Sequence, residues 1–221
     1  MEDLGAGDAA ACSIETMRQR NVEIPWGLHC IDLTAGIGGN TVACGRRFDS
    51  VLAFEVDAVR ADLLRKNVAA AALEGTVTVK CADSLAALPK LADSWEPVQL
   101  CTRGAIAAIL DPPWGGIHYK RRRLDNAETD SIAGDEGLSL SGVPLSAVVS
   151  LVAEHLAGVL PVVLGVKLPL TFDVTAWKAR LQSAGESRRQ HTTSLLSIKK
   201  LGRQLFVVLH LACCDPTQGT E

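Results

Sequence analysis

His29-Cys30-Ile31-Asp32-Leu33, running into Thr34-Ala35-Gly36-Ile37-Gly38-Gly39-Asn40-Thr41, is the stretch that decides the fold. The short apolar run reads as a buried strand, the glycines from Ala35 to Gly39 as a turn, and Asn40 onward as a helix carrying Val42 and Ala43. Glycine at such a junction lets a ligand approach the backbone, and the opening helix directs unpaired N–H groups at the same place. Asp32, Thr34, Gly36, Gly38, Asn40 and Thr41 are therefore candidate ligand-binding residues of a nucleotide-type site.

The same alternation continues outward. Val51 to Val56 reads as a second strand, and Ala58 to about Leu73 as a helix with Val59, Leu63, Leu64 and Val68 on its apolar face. Val77 to Cys81 is a third strand, Ser84 to Leu91 a helix, Pro97 to Gly104 an excursion, and Ala105 to Leu110 a fully apolar fourth strand. Residues 115–142 read as a loop near the site, Leu145 to Leu156 as a helix, Val159 to Val166 as a strand and Val174 to Ala184 as a helix. Thr193 to Ile198 and Leu205 to Leu211 then form a closing antiparallel pair that turns at Gly202. Strands alternating with helices predict an α/β fold, a mostly parallel sheet with helices on both faces and a C-terminal antiparallel pair.

Composition sets the outer limits. With 221 residues and 48% of them hydrophobic, one domain is expected over 28–214, with a short N-terminal extension at 1–27 and a tail at 215–221. A net charge of −3 confines any contact with a polyanion to a local patch, and the dense basic run is Lys120-Arg121-Arg122-Arg123. The seven cysteines form no C-x-x-C pair and no Cys/His zinc spacing, so no metal is expected and the thiols read as reduced. No apolar run is long enough to cross a bilayer and Met1-Glu2-Asp3 is acidic, so no membrane association is expected.

Three successive strand ends carry acids: Asp32, Glu55 and Asp83. Each alone would serve as a helix N-cap. Together they line the crevice at the carboxyl ends of a parallel sheet, where Glu55 can accept from ribose hydroxyls and Asp83 from an adenine amino group. The fourth strand ends in Asp111-Pro112-Pro113-Trp114-Gly115-Gly116. Two prolines stiffen the backbone and remove two donors, leaving carbonyls and the Asp111 carboxylate as acceptors for an amino group, with the flat face of Trp114 beside them.

The run Asp32 to Thr41, the Glu55/Asp57 strand end, Asp83 and above all Pro112-Pro113-Trp114-Gly115-Gly116 resemble the trimethylguanosine synthases. The likeness extends from about His29 to Leu211 and includes Lys167-Leu168-Pro169. It implies a Rossmann-like methyltransferase fold, S-adenosylmethionine as cofactor, and methylation of N2 in the 7-methylguanosine cap of snRNA- or snoRNA-type substrates. Carried over residue by residue, Asp111, Pro112 and Trp114 would be catalytic. The cofactor would lie on Asp32, Thr34, Gly36, Gly38, Asn40, Thr41, Glu55, Asp57, Asp83, Ser84 and Asp111. Trp114, Tyr119, Lys120 and Arg121 would bind the base and cap phosphates.

Two departures accompany the resemblance. Asp111 stands where the family usually has Ser, a feature shared with the Asp/Asn-Pro-Pro-aromatic motif of amino-directed nucleic-acid methyltransferases. Residues 1–27 do not match the family's N-terminal helical extension, so either cap affinity is reduced or a protein partner completes that side of the pocket. A monomer in the nucleus or cytoplasm is expected. The alternatives are an amino-directed methyltransferase acting on rRNA, DNA or another nucleic-acid base, and a cap-binding relative without turnover.

Overall fold

The structure is a computed structural model, which describes residues 28–95, 105–112, 138–158, 160–188, 191–202 and 204–213. The expected segments at 1–27, 97–104 and 215–221 lie outside the described residues, as do residues 113–137 with Pro113, Trp114, Gly115, Gly116, Tyr119 and Lys120 to Arg123.

The strands are β1 (His29–Asp32), β2 (Ser50–Glu55), β3 (Val77–Cys81), β4 (Ile106–Leu110), β5 (Ser139–Leu140), β6 (Val143–Pro144), β7 (Val162–Pro169), β8 (His191–Leu201) and β9 (Gln204–Cys213). The helices are α1 (Gly39–Gly45), α2 (Ala58–Ala70), α3 (Ser84–Ser94), α4 (Leu145–Val152) and α5 (Val174–Arg188). Seven strands form one sheet in the order β3-β2-β1-β4-β7-β9-β8, and β5 pairs with β6 separately. β3, β2, β1, β4 and β7 run parallel, while β9 is antiparallel to both β7 and β8. This is the expected architecture, a mostly parallel Rossmann-like sheet with helices on both faces, closed by an antiparallel pair.

Side-chain alternation along the parallel strands fills both faces. Ile31, Leu52, Phe54, Ile106, Ala108 and Leu110 enter the core shared with α3, α4 and α5. Cys30, Val51, Ala53, Ala107 and Ile109 enter the opposite core, against Cys44 of α1 and Leu64 and Val68 of α2. β4 is buried at all five positions, as a parallel strand covered on both sides must be.

Three expectations change. On α2 the buried stripe is Ala61, Leu64 and Val68, whereas Val59 and Leu63 are exposed. A seven-residue span with Ala61 in the seam lets the helix sit close to the sheet, which turns the larger Val59 and Leu63 outward. The segment read as loop to residue 142 ends in the β5–β6 hairpin, whose two turn residues, Ser141 and Gly142, have φ of 51° and 79°. Two positive φ values in a two-residue loop suit the twist of the flanking strands, but strands this short leave no alternation to read. The helix expected to reach Leu156 is α4 continued by a π-helical turn at Ala153–Ala157.

β7 and β9 meet through a glycine. A Cβ built at Gly165 would lie 2.6 Å from Cζ of Phe206, a fully buried ring. Phe206 thus lies over the space that a side chain would occupy. Gly165→Ala is expected to destabilise the fold by about 1 to 3 kcal/mol through overpacking, read by urea denaturation. An unchanged midpoint would show that the ring moves aside freely.

A candidate methyl-transfer site at the strand ends

The carboxyl ends of β1, β2, β4 and β7 bring the candidate residues into two connected clusters. The first is built on the β1–α1 turn. Asp32 ends β1 and is fully buried; its Oδ2 accepts from Thr41 Oγ1 at 2.7 Å and its Oδ1 from the Thr34 backbone N–H at 3.2 Å. Thr34 Oγ1 in turn accepts from the Asp111 N–H at 2.7 Å, so the glycine turn and the end of β4 are tied together directly. Asn40, on the first turn of α1, donates from Nδ2 to Asp111 Oδ2 at 3.3 Å. Lys167 of β7 reaches the same Oδ2 at 3.0 Å.

The turn itself needs glycine. Gly36 and Gly38 have φ of 56° and 105°, a region that side chains enter at a cost, and a Cβ at Gly38 would sit 2.5 Å from Leu64 Cδ1. A Cβ at Gly36 or Gly39 would meet nothing within 4 Å, so the backbone borders open space. Asn67 of α2 braces the turn by donating to the Ile37 carbonyl at 2.7 Å.

The second cluster surrounds Glu55, which is 6% exposed. Its Oε2 accepts from the Gly36 N–H at 2.9 Å, and its Oε1 accepts from the Asp57 N–H at 2.9 Å and from Arg60 Nε at 3.1 Å. Oε1 is crowded and Oε2 keeps a lone pair for a further donor. Asp57 and Asp83 both cap helices, accepting from Arg60 N and Leu85 N respectively. Like Asp83, Asp57 keeps its second carboxylate oxygen beyond the cap. Asp83 keeps a second carboxylate oxygen beside the buried Ser84. Ile37 and Val56, 54% and 62% exposed, are apolar side chains on the two loops that carry these clusters.

Sequence reasoning missed Lys167, Arg60, Ile37 and Val56 as site residues. Lys167 had a signal, since a lone cation interrupts the otherwise apolar strand Val162–Pro169 near its carboxyl end. Arg60 had little, because a charge on the first turn of a helix is ordinary. Pro112 is buried at the end of β4. Trp114, Tyr119, Lys120 and Arg121 fall outside the described residues.

An acceptor-rich crevice at parallel strand ends, with a glycine turn opening on it, is the place where open α/β folds bind ligands. Residues 28–131 match the family model for RNA cap guanine-N2 methyltransferases. Over that segment, a little under half of the chain, the sequence is similar to this family. The segment contains every site residue named above except Lys167. Among solved structures, the fold is similar to human methyltransferase 10 domain containing protein, at 14% identity with a TM-score of 0.54, covering 96% of this chain and 84% of that one. It is also similar to the Escherichia coli protein yhhF, assigned to the methyltransferases, at 16% identity and a TM-score of 0.50, covering 93% and 87%. At these identities the likeness concerns the fold, which is that of the S-adenosylmethionine-dependent methyltransferases. Family match and fold agree on a methyltransferase.

Burial raises the Asp32 carboxyl from its ordinary 3.8 to about 6; nearby Asp111 also raises it, while bonds from Thr41 and Thr34 and the charge of Lys167 hold it down. The folded state therefore keeps this proton to higher pH than the unfolded chain does. The stability it contributes is fully present below about pH 4 and is lost as pH rises through about 6, an effect of order 3 kcal/mol. Asp32→Asn removes the titration while keeping both bonds, since the Thr41 hydroxyl can accept as well as donate. The variant is expected to gain about 1 to 3 kcal/mol relative to the parent between about pH 4.5 and about pH 7.5 in urea denaturation. A constant difference across that range would contradict the burial argument.

Glu55→Ala is expected to weaken S-adenosylhomocysteine binding by about 1 to 3 kcal/mol in calorimetry, through loss of charge-assisted bonds. Unchanged affinity would remove the cofactor from the β2 end.

Proposed function

We propose that this methyltransferase transfers a methyl group from S-adenosylmethionine to N2 of guanine in a 7-methylguanosine RNA cap. The observation that carries the reading is the tie between the glycine turn and Asp111, through Thr34 and Asn40, inside the segment that matches the guanine-N2 family.

The residues present suit the cofactor. Gly36 and Gly39 leave room for a ligand against the backbone, Glu55 Oε2 can take a ribose hydroxyl, Asp83 or Ser84 can take the adenine amino group, and exposed Ile37 and Val56 offer apolar contact to a planar base. When bound, S-adenosylmethionine supplies a methyl group already activated on a sulfonium, so the protein's task is chiefly orientation. Asp111 and the Pro112 carbonyl accept protons of the target amino group and turn its lone pair toward the methyl. No strong base is required. Trp114 stacks on the base, and the positive charge of a 7-methylated guanine adds a cation–π component. Tyr119, Lys120 and Arg121 meet the cap phosphates, which position without reading sequence. The partner is then a capped RNA in the nucleus or cytoplasm.

A second reading, an amino-directed methyltransferase acting on another nucleic-acid base, is favoured by one observation: Asp111 presents a carboxylate where the cap family usually has a hydroxyl. The two readings separate at Trp114. Trp114→Ala is expected to remove about 1 to 3 kcal/mol of base binding while leaving thermal melting unchanged. Trp114→Phe should rescue in part, with a larger remaining deficit for a 7-methylated than for an unmethylated dinucleotide cap, because benzene is a poorer cation–π partner than indole. Equal binding of both caps by parent and variants would remove the cap and leave the broader amino-methyltransferase.

A further inference from the structure

We propose that Lys167 is a positioning residue that selects guanine, by clamping one oxygen of Asp111 and leaving the other open as an acceptor for the base. The inference rests on the methyl-transfer reading above and names what determines its base.

Register creates the pair. β4 and β7 are parallel neighbours with Leu110 opposite Val166, so the next residues along, Asp111 and Lys167, emerge side by side at the open end of the sheet. Lys167 Nζ lies 3.0 Å from Asp111 Oδ2, Asn40 Nδ2 donates to the same oxygen at 3.3 Å, and Nζ also reaches Asn40 Oδ1 at 3.5 Å. Oδ2 is thus engaged twice, and among the described residues Oδ1 accepts no bond. The Asp111 side chain remains 28% exposed, against 17% for Lys167.

A half-buried ammonium in a strand whose other residues are apolar or glycine is costly to desolvate, and an apolar side chain there would be as stable or more so. Its use lies in the charge. The ammonium and Asn40 together fix Asp111 through Oδ2, so Oδ1 is the oxygen turned over to a base. A carboxylate accepts hydrogen bonds and donates none. Guanine presents its ring N1–H beside the N2 amino group, two donors in a row. Adenine presents a ring lone pair beside its amino group, and a carboxylate repels that lone pair. The ammonium therefore favours guanine over adenine without touching either base.

The test is a double-mutant cycle on the full chain, with parent, Lys167→Met, Asp111→Asn and the double variant. kcat and KM are measured on 7-methylguanosine-capped and adenosine-containing RNA, and calorimetry measures S-adenosylhomocysteine affinity. Lys167→Met is expected to lower kcat on the guanine substrate about 10- to 100-fold while cofactor affinity stays within about twofold. Its preference for guanine over adenine should narrow at least about fivefold, and in the Asp111→Asn background it should cost less than about threefold. Lys167→Arg, which keeps the charge, should recover most of the preference. If Lys167→Met melts early, Lys167→Gln takes its place in the same cycle. Equal losses in both backgrounds, or an unchanged guanine preference, overturn the role of Lys167 and leave guanine methylation standing. Parent protein that methylates adenine in place of guanine defeats the cap reading instead, and the selective role of Lys167 with it.

Discussion

The site depends on the parallel pairing of β1 with β2 on one side and β4 on the other. His29 to Asp32 lie opposite Ser50 to Ala53 and, in the same register, opposite Ile106 to Ile109. Because β1 ends first, Asp32 leads into the turn while β2 runs on to Glu55 and β4 to Asp111. The turn then crosses between two acids, each bonded to it: Glu55 to the Gly36 N–H and Asp111 to Thr34. A shift of either strand by one residue would separate these bonds and reverse the faces of the core alternation.

Electrostatics divides this crevice in two. On the β2 side, Glu55 is fixed by backbone donors and by the half-exposed Arg60, which gives a neutralised acceptor site for a sugar. On the β4 side, Asp32 and Asp111 share the charge of Lys167, with Asn40 bridging. Clamped at Oδ2 by Lys167 and Asn40, the Asp111 carboxylate is held in one orientation at the place proposed for the amino group.

Much of this was legible in the chain. β2 and β4 are short apolar runs closed by an acid, and runs of that kind announce themselves because both faces are buried, whereas the edge strand β3 alternates with exposed Thr78 and Lys80. The three acids stood out because each falls where a strand gives way to a turn or helix. Asp57 also caps α2, and sequence alone does not separate that role from a ligand contact, since an acid before a helix serves either end. Lys167 was harder. Its meaning lies in a contact with Asp111, fifty-six residues earlier, that exists only once β4 and β7 are known to be adjacent and in register. The exposed Val59 and Leu63 were misplaced because periodicity alone does not say which of two overlapping stripes faces the sheet, and the small Ala61 decided it by allowing close approach.

The central claim is that the end of β4, held against the glycine turn, presents an amino group of guanine for methylation. The most direct test incubates the protein with isotopically labelled S-adenosylmethionine and a panel of 7-methylguanosine-capped, unmethylated guanosine-capped and adenosine-containing RNAs, then identifies the labelled nucleosides by mass spectrometry. The account predicts label on N2 of 7-methylguanosine, with far less on unmethylated guanosine and none on adenosine. Label confined to adenosine, or to internal bases irrespective of the cap, would contradict it.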